Sequence, residues 1–147
     1  MKGRTVLLIE DNASDEALTR RAFQQARIKN EVFVVRDGEE ALEYLFCSGR
    51  YEERDIKEAP QVVLLDLKLP KIDGIEVLKR LREDKRTELL PVIILTSSKE
   101  ESDLLAGYKG GANSYIVKPV NAPGFQECIR QLGLYWLVLN EPVPFEV

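Results

Sequence analysis

The stretch Val62-Val63-Leu64-Leu65-Asp66-Leu67-Lys68-Leu69-Pro70 decides the fold, because it sets a carboxylate directly behind four aliphatic residues. An apolar run without alternation is the mark of a strand covered on both faces, as in a parallel sheet. A carboxylate taken out of water needs a partner or a proton. Lys68 stands two residues on as the obvious candidate. Asp66 is therefore either a structural acid paired with Lys68 or a reactive group displayed at a strand end.

The same pattern repeats along the chain. Val6-Leu7-Leu8-Ile9, Val32-Phe33-Val34-Val35, Val92-Ile93-Ile94-Leu95 and Tyr115-Ile116-Val117 read as four more strands. Between them lie helical patterns. The first runs to about Ala26, with Asn12, Ser14 or Asp11 as cap, and the second spans Glu39 to Phe46. A third opens at Asp73-Gly74 with Ile75, Leu78 and Leu81 on one face, a short fourth covers Glu100 to Gly107, and the last runs from about Ala122 to Leu139. Cys47 to Pro60 is polar and aperiodic, which predicts a long surface loop. Strands alternating with helices imply parallel pairing and right-handed crossovers. The expectation is one doubly wound α/β domain with its site beyond the carboxyl ends of the strands.

Composition narrows the function. The 147 residues carry a net charge of −4, which argues against nucleic-acid binding through bulk charge. No apolar run has membrane-spanning length and no leader is visible, so a cytoplasmic protein is expected. Cys47 and Cys128 match no metal or redox spacing and read as reduced thiols. The chain has no histidine, which excludes Ser–His–Asp catalysis, imidazole metal sites and a phosphohistidine carrier.

The residues following the strands carry the chemistry. They are Glu10-Asp11 after the first, Asp66 after the third, Thr96-Ser97-Ser98 after the fourth and Lys118-Pro119 after the fifth. Taken singly, each has an ordinary reading as a helix cap, a strand-end hydroxyl or a solvated lysine. Jointly they bring carboxylates, hydroxyls and one ammonium to one sheet edge. Clustered carboxylates repel unless a cation sits among them. Oxygen donors alone suit Mg²⁺ better than zinc.

With those pieces, Leu8-Ile9-Glu10-Asp11-Asn12, Leu64 to Pro70 with Asp73-Gly74, Leu95-Thr96-Ser97 and Tyr115 to Pro119, the chain resembles the receiver domain of bacterial response regulators. The resemblance covers residues 5 to about 139, and the spacing from Asp66 to Thr96 is 30 residues with 22 more to Lys118. It implies the flavodoxin-like (CheY-like) sheet order 2-1-3-4-5, with residues 1–141 as receiver and 142–147 as a tail. It implies Asp66 as acceptor of a phosphoryl group from a sensor histidine kinase. Asp11, Glu10, Asp66 and the backbone carbonyl of Lys68 would hold Mg²⁺ or Mn²⁺, and Lys118 would bind a phosphoryl oxygen across a cis bond to Pro119. Thr96 and Tyr115 would be the switch pair, and Lys68 and Ser98 would tune phosphate lifetime. Kinase docking would use Ser14, Glu16, Arg20 and the loop after Lys118.

The long loop, the Leu-Pro-Lys segment and the terminal Tyr-Trp are similar to the stand-alone regulators that accompany bacterial and cyanobacterial phytochromes. Leu132 to Leu139 holds no charge, so a homodimer through the last helix and tail is expected, anchored by Tyr135 or Trp136. No effector domain is visible after the receiver core, which fits a stand-alone regulator or a relay intermediate. A phosphohydrolase of the haloacid dehalogenase type would need a second acid where Lys68 stands. A flavodoxin would need a hydroxyl-rich phosphate loop after the first strand. A phosphorylation-independent scaffold would not need the full set Glu10, Asp11, Asp66, Thr96 and Lys118.

Overall fold

A computed structural model describes residues 4–144. Five parallel strands form one sheet in the order β2-β1-β3-β4-β5, with β1 Val6–Ile9, β2 Val32–Val35, β3 Val62–Leu65, β4 Val92–Thr96 and β5 Ser114–Val117. Helices α1 Ala13–Gln25, α2 Gly38–Leu45, α3 Gly74–Glu83, α4 Glu101–Lys109 and α5 Ala122–Gly133 connect and follow them. This is the doubly wound order expected. In the central ladder Val6 stands opposite Val62 and Ile9 opposite Leu65, and in the next Leu65 stands opposite Ile94.

Strand alternation explains why the apolar runs are unbroken. Leu7, Ile9, Val63, Leu65 and Ile94 face one core with Val77, Leu78 and Leu81 of α3. Val6, Leu8, Leu64, Ile93 and Leu95 face the other, with Phe23 of α1 and Phe125 and Ile129 of α5. Every side chain of β1, β3 and β4 is buried, so a polar face would have nowhere to go. Four helices begin with an Asn or Asp whose side chain accepts from the backbone N–H three residues on: Asn12, Asp37, Asp73 and Asn121. Such caps satisfy helix donors that would otherwise be orphaned. Of the candidate caps for α1, Asn12 takes the position, accepting from Asp15 N at 3.0 Å.

Two local expectations need correction and one gains detail. The segment from Cys47 to Pro60 is the surface loop expected, but it carries a single 3₁₀ turn, Gly49–Tyr51, and is pinned to the domain. The Tyr51 ring meets Phe33 and Tyr44 edge-on, at 5.9 and 5.1 Å between centroids, and its hydroxyl donates to Glu40 at 2.6 Å. The Arg54 guanidinium lies 3.7 Å from the Tyr44 ring centroid and donates to the Tyr44 carbonyl. Aromatic and cation–π contacts hold this loop without any periodicity.

The last helix is regular only to Gly133. Leu134–Leu139 then widens into a π turn, with Asn140 N donating to Tyr135 O at 2.7 Å. No cis peptide bond occurs among the described residues, so the bond from Lys118 to Pro119 is trans. That is the isomer a proline bond adopts by default.

The widened turn sorts the uncharged stretch by face. Trp136 and Leu137 pack on the α1–α5 core, whereas Leu134, Tyr135, Val138 and Leu139 are exposed. The described part of the tail runs elsewhere, where Arg4 donates to the Val143 carbonyl at 2.9 Å. Residues 145–147 of the expected tail lie outside the described residues.

Candidate functional site

The alternation that builds the two cores also sorts the residues at the carboxyl edge. Glu10, Asp66 and Lys118 continue the rows of Leu8, Leu64 and Ile116, which face α1 and α5. Thr96 continues the row of Ile94 on the other face, where Tyr115 also packs. The edge therefore divides into an acidic half next to α1 and a hydroxyl half next to α4.

In the acidic half, Lys118 is the hub. Its ammonium donates to Glu10 Oε1 at 2.6 Å, Asp15 Oδ2 at 2.8 Å and Asp66 Oδ2 at 2.9 Å. Its side chain is only 5% exposed, a burial that an unpaired lysine does not tolerate. Burial alone would lower the lysine pKa, but the hydrogen bonds it donates to the three carboxylates outweigh it and hold the ammonium charged above its ordinary range. Glu10 is more enclosed still, and burial pushes its carboxyl up to about 7 against the pull of Lys118. Its other oxygen accepts from Asn12 N at 3.2 Å.

Glu10, Asp11 and Asp66 can each place one carboxylate oxygen within 4.8 Å of the others. Three hard oxygen donors so close, with Asp11 exposed, fit a hard divalent cation entering from solvent. Asp66 is not paired with Lys68: its ion pair goes to Lys118. The exposed Lys68 contributes its backbone N–H, 3.3 Å from Asp66 Oδ1.

In the hydroxyl half, Thr96 is buried and its Oγ1 accepts from Ser98 N at 3.5 Å. The Ser98 hydroxyl donates to Asp103 at 2.5 Å and accepts from Glu100 N, so it is committed to the start of α4. Tyr115 is half-buried, with its hydroxyl donating to the Ser98 carbonyl at 3.0 Å. The fourth strand, the loop after it and the fifth strand are thus tied together.

Asp15 is the residue that sequence reasoning missed. It sits on the first turn of the helix capped by Asn12, and its signal was the Asn-x-x-Asp spacing directly after Glu10-Asp11. Row parity would have placed the acids and the lysine on the α1 side. Glu16, proposed above for docking, is ion-paired with both Arg20 and Arg36. A cleft of about 160 Å³ beside Arg4, Ile56, Lys85, Leu89 and Pro144 lies by the amino-terminal end of β4, away from this chemistry.

Residues 6–130 match the response regulator receiver domain family. The chain belongs to that family. Among curated relatives, the receiver is 37% identical over 135 residues to the probable methanogenesis regulatory protein FilR2 of Methanothrix harundinacea, covering 92% of this chain and 84% of that one. Three solved structures place it further. The phosphorylated cyanobacterial phytochrome response regulator RcpA matches with a TM-score of 0.90 at 33% identity, over 97% of this receiver and 99% of that chain. The Mn²⁺-bound form of the response regulator Rcp1, a protein of Synechocystis, matches at 0.89 and 31% identity, over 96% and 99%. The bacteriophytochrome response regulator RtBRR is 46% identical with a TM-score of 0.76, over 97% and 85%.

Proposed function

We propose that this receiver takes a phosphoryl group from the histidine of a sensor kinase onto Asp66 and signals by the change of shape that follows. One observation carries the reading. A strand-end carboxylate is bonded to a buried ammonium and shares cation-binding reach with two further carboxylates. In the transfer, an Asp66 oxygen bonds to phosphorus as the phosphorus–nitrogen bond breaks, and the kinase imidazole leaves with the electron pair. Mg²⁺ or Mn²⁺, held by Glu10, Asp11, Asp66 and the Lys68 carbonyl, would offset the repulsion between two anionic reactants. The Mn²⁺-bound form of Rcp1 supports that assignment.

Lys118 offers its ammonium to a phosphoryl oxygen as a compact charge. Thr96 turns its hydroxyl to another, drawing the β4–α4 loop inward, and Tyr115 follows through its bond to the Ser98 carbonyl. Lys68, exposed beside Asp66, and Ser98 tune the access of hydrolytic water. The protein is a phosphoacceptor rather than an enzyme with a separate substrate.

A phytochrome-type kinase is the proposed donor, supported by the likeness to RcpA and RtBRR. It would dock on the start of α1 around Ser14, Glu16 and Arg20 and on the loop after Lys118, where Val120 is 97% exposed. The exposed Leu134, Tyr135, Val138 and Leu139 would pair two copies, with Tyr135 anchoring and Trp136 held inward. Residues 1–141 form the receiver and 142–147 the tail. The net charge of −4 disfavours nucleic acid. No helix among the described residues is long and apolar enough to cross a membrane; the proposed site of action is the cytoplasm, where a kinase of this kind would present its phosphohistidine.

Incubation with a small acyl phosphate and Mg²⁺ tests the central assignment. Wild-type protein is labelled and Asp66→Asn is not; equal labelling would remove Asp66 from the mechanism. For the dimer, Tyr135→Glu should sediment as a monomer at concentrations where the wild type pairs.

A further inference from the structure

We propose that Asp15 is a positioning residue that clamps the Lys118 ammonium in the unphosphorylated state and is displaced from it by the phosphoryl group on Asp66. The inference rests on Asp66 as phosphoacceptor. A lysine ammonium has three N–H donors and no acceptor. All three are engaged, on Glu10, Asp15 and Asp66. An additional anionic oxygen can bind only if one of the three carboxylates yields.

The burial of the three acceptors decides which one yields. The Glu10 side chain is 3% exposed and the Asp66 side chain 11%, whereas that of Asp15 is 25% exposed. Glu10 cannot turn to water without moving the strand end that carries it. Asp66 remains covalently attached to the new group. Asp15 lies on the outer side of the ammonium, at the rim, and can exchange its bond to Lys118 for water at small cost.

A phosphoryl group arrives from solvent and so contends with Asp15 for the same side of the lysine. Asp15 also lies outside the trio that converges for a cation, so its carboxylate is spent on the lysine alone. It adds a negative charge where an anionic group must come. A neutral side chain of the same shape, such as Asn, weakens the clamp from an ion pair to an ordinary hydrogen bond and removes the repulsion.

The consequence is a brake on phosphorylation. Asp15→Asn should take up phosphoryl from an acyl phosphate about three- to tenfold faster than wild type, the scale of one partly exposed charged hydrogen bond. It should also lose the phosphoryl group more slowly, and Asp15→Glu should restore wild-type rates. A separate readout needs no variant. The carboxyl carbon signal of Asp15 in wild-type protein should move toward that of a solvated aspartate when trifluoroberyllate and Mg²⁺ occupy the site.

An unchanged or slower rate in Asp15→Asn, or an Asp15 signal unmoved by trifluoroberyllate, overturns the clamp. Labelling of Asp66→Asn would instead overturn the phosphoacceptor reading beneath it, so the two failures are distinct.

Discussion

Gly74 offers a sharp test of how the fold aims Asp66. It opens α3 directly after the Asp73 cap, and its N–H donates to Leu67 O at 2.8 Å. A Cβ at this position would lie 2.4 Å from the Asp66 carbonyl oxygen and 2.7 Å from Leu67 Cα. Both neighbours are backbone, so no rotamer change relieves the contact. Reaching even 3.0 Å requires the Asp66–Leu67 peptide to retreat by about 0.6 Å.

Overpacking of that kind costs about 1–3 kcal/mol. At ~2–4 °C per kcal/mol for a chain of this size, Gly74→Ala should melt about 2–12 °C lower. The larger effect should be on rate, because a displacement of ~1 Å at a reacting group can cost about a hundredfold. A shift of about 0.6 Å should therefore slow phosphorylation from an acyl phosphate by about tenfold at saturating Mg²⁺.

Gly133→Ala is the control. Its Cβ would meet Ile28 Cδ1 at 2.2 Å, a comparable clash but with the end of a flexible side chain, at the far end of α5. It should lose stability and keep a wild-type phosphorylation rate. Calorimetry and a quenched time course read the two quantities separately. A destabilised Gly74→Ala that phosphorylates as fast as Gly133→Ala would refute the idea that this glycine sets the aim of Asp66.

Three other outcomes are expected. Mg²⁺ at about a hundred times its dissociation constant should stabilise the chain by ~2.7 kcal/mol, raising the melting temperature by about 5–10 °C; Asp11→Asn retaining that rise would remove Asp11 from the cation site. Lys68→Ala should alter the dephosphorylation rate with a melting temperature within about 2 °C of wild type, since exposed substitutions stay within ~0.5 kcal/mol; an unchanged rate counts against its role in lifetime. Arg82 donates to the carbonyls of Glu88, Leu90 and Gly111 and to Asn113 Oδ1, tying α3 to the starts of β4 and β5. Arg82→Met should cost about 1–3 kcal/mol in denaturant titration, because charged hydrogen bonds are lost and the half-buried Leu90 and Gly111 carbonyls are left unpaired; a loss under ~0.5 kcal/mol would show those carbonyls resolvated.

The central strands were legible because burial on both faces forces an unbroken apolar run, and β1 and β3 start and stop where those runs do. The acidic edge was legible for the same reason: Glu10 and Asp66 are the first polar residues after runs that tolerate none. Local pattern could not show contacts made at long range by aperiodic residues. Tyr51 and Arg54 look like loop residues until Phe33 and Tyr44 are beside them. Nor does sequence spacing say that Lys118 reaches a first-turn aspartate 103 positions away. The π turn after Gly133 was hidden because Leu134 to Leu139 suits a regular helix equally well, and only the contacts of Trp136 and Leu137 distinguish them.

The edge is under-neutralised by its own side chains, and that follows from its composition. Glu10, Asp15 and Asp66 surround one ammonium, with Asp11 close to two of them. A fold selected only for stability would supply a second cation or remove an acid, since clustered like charges are destabilising. Here the imbalance stands on a sheet whose three central strands are wholly buried, so the framework can carry a strained edge without opening. A satisfied edge would gain little from a divalent ion and would have no ammonium to redirect. On the proposed mechanism, an edge short of positive charge gains from a cation first, and with the cation in place it would accept an anionic group on Asp66. The same shortage of positive charge would then make phosphorylation depend on metal, and would give Lys118 competing partners between which to switch.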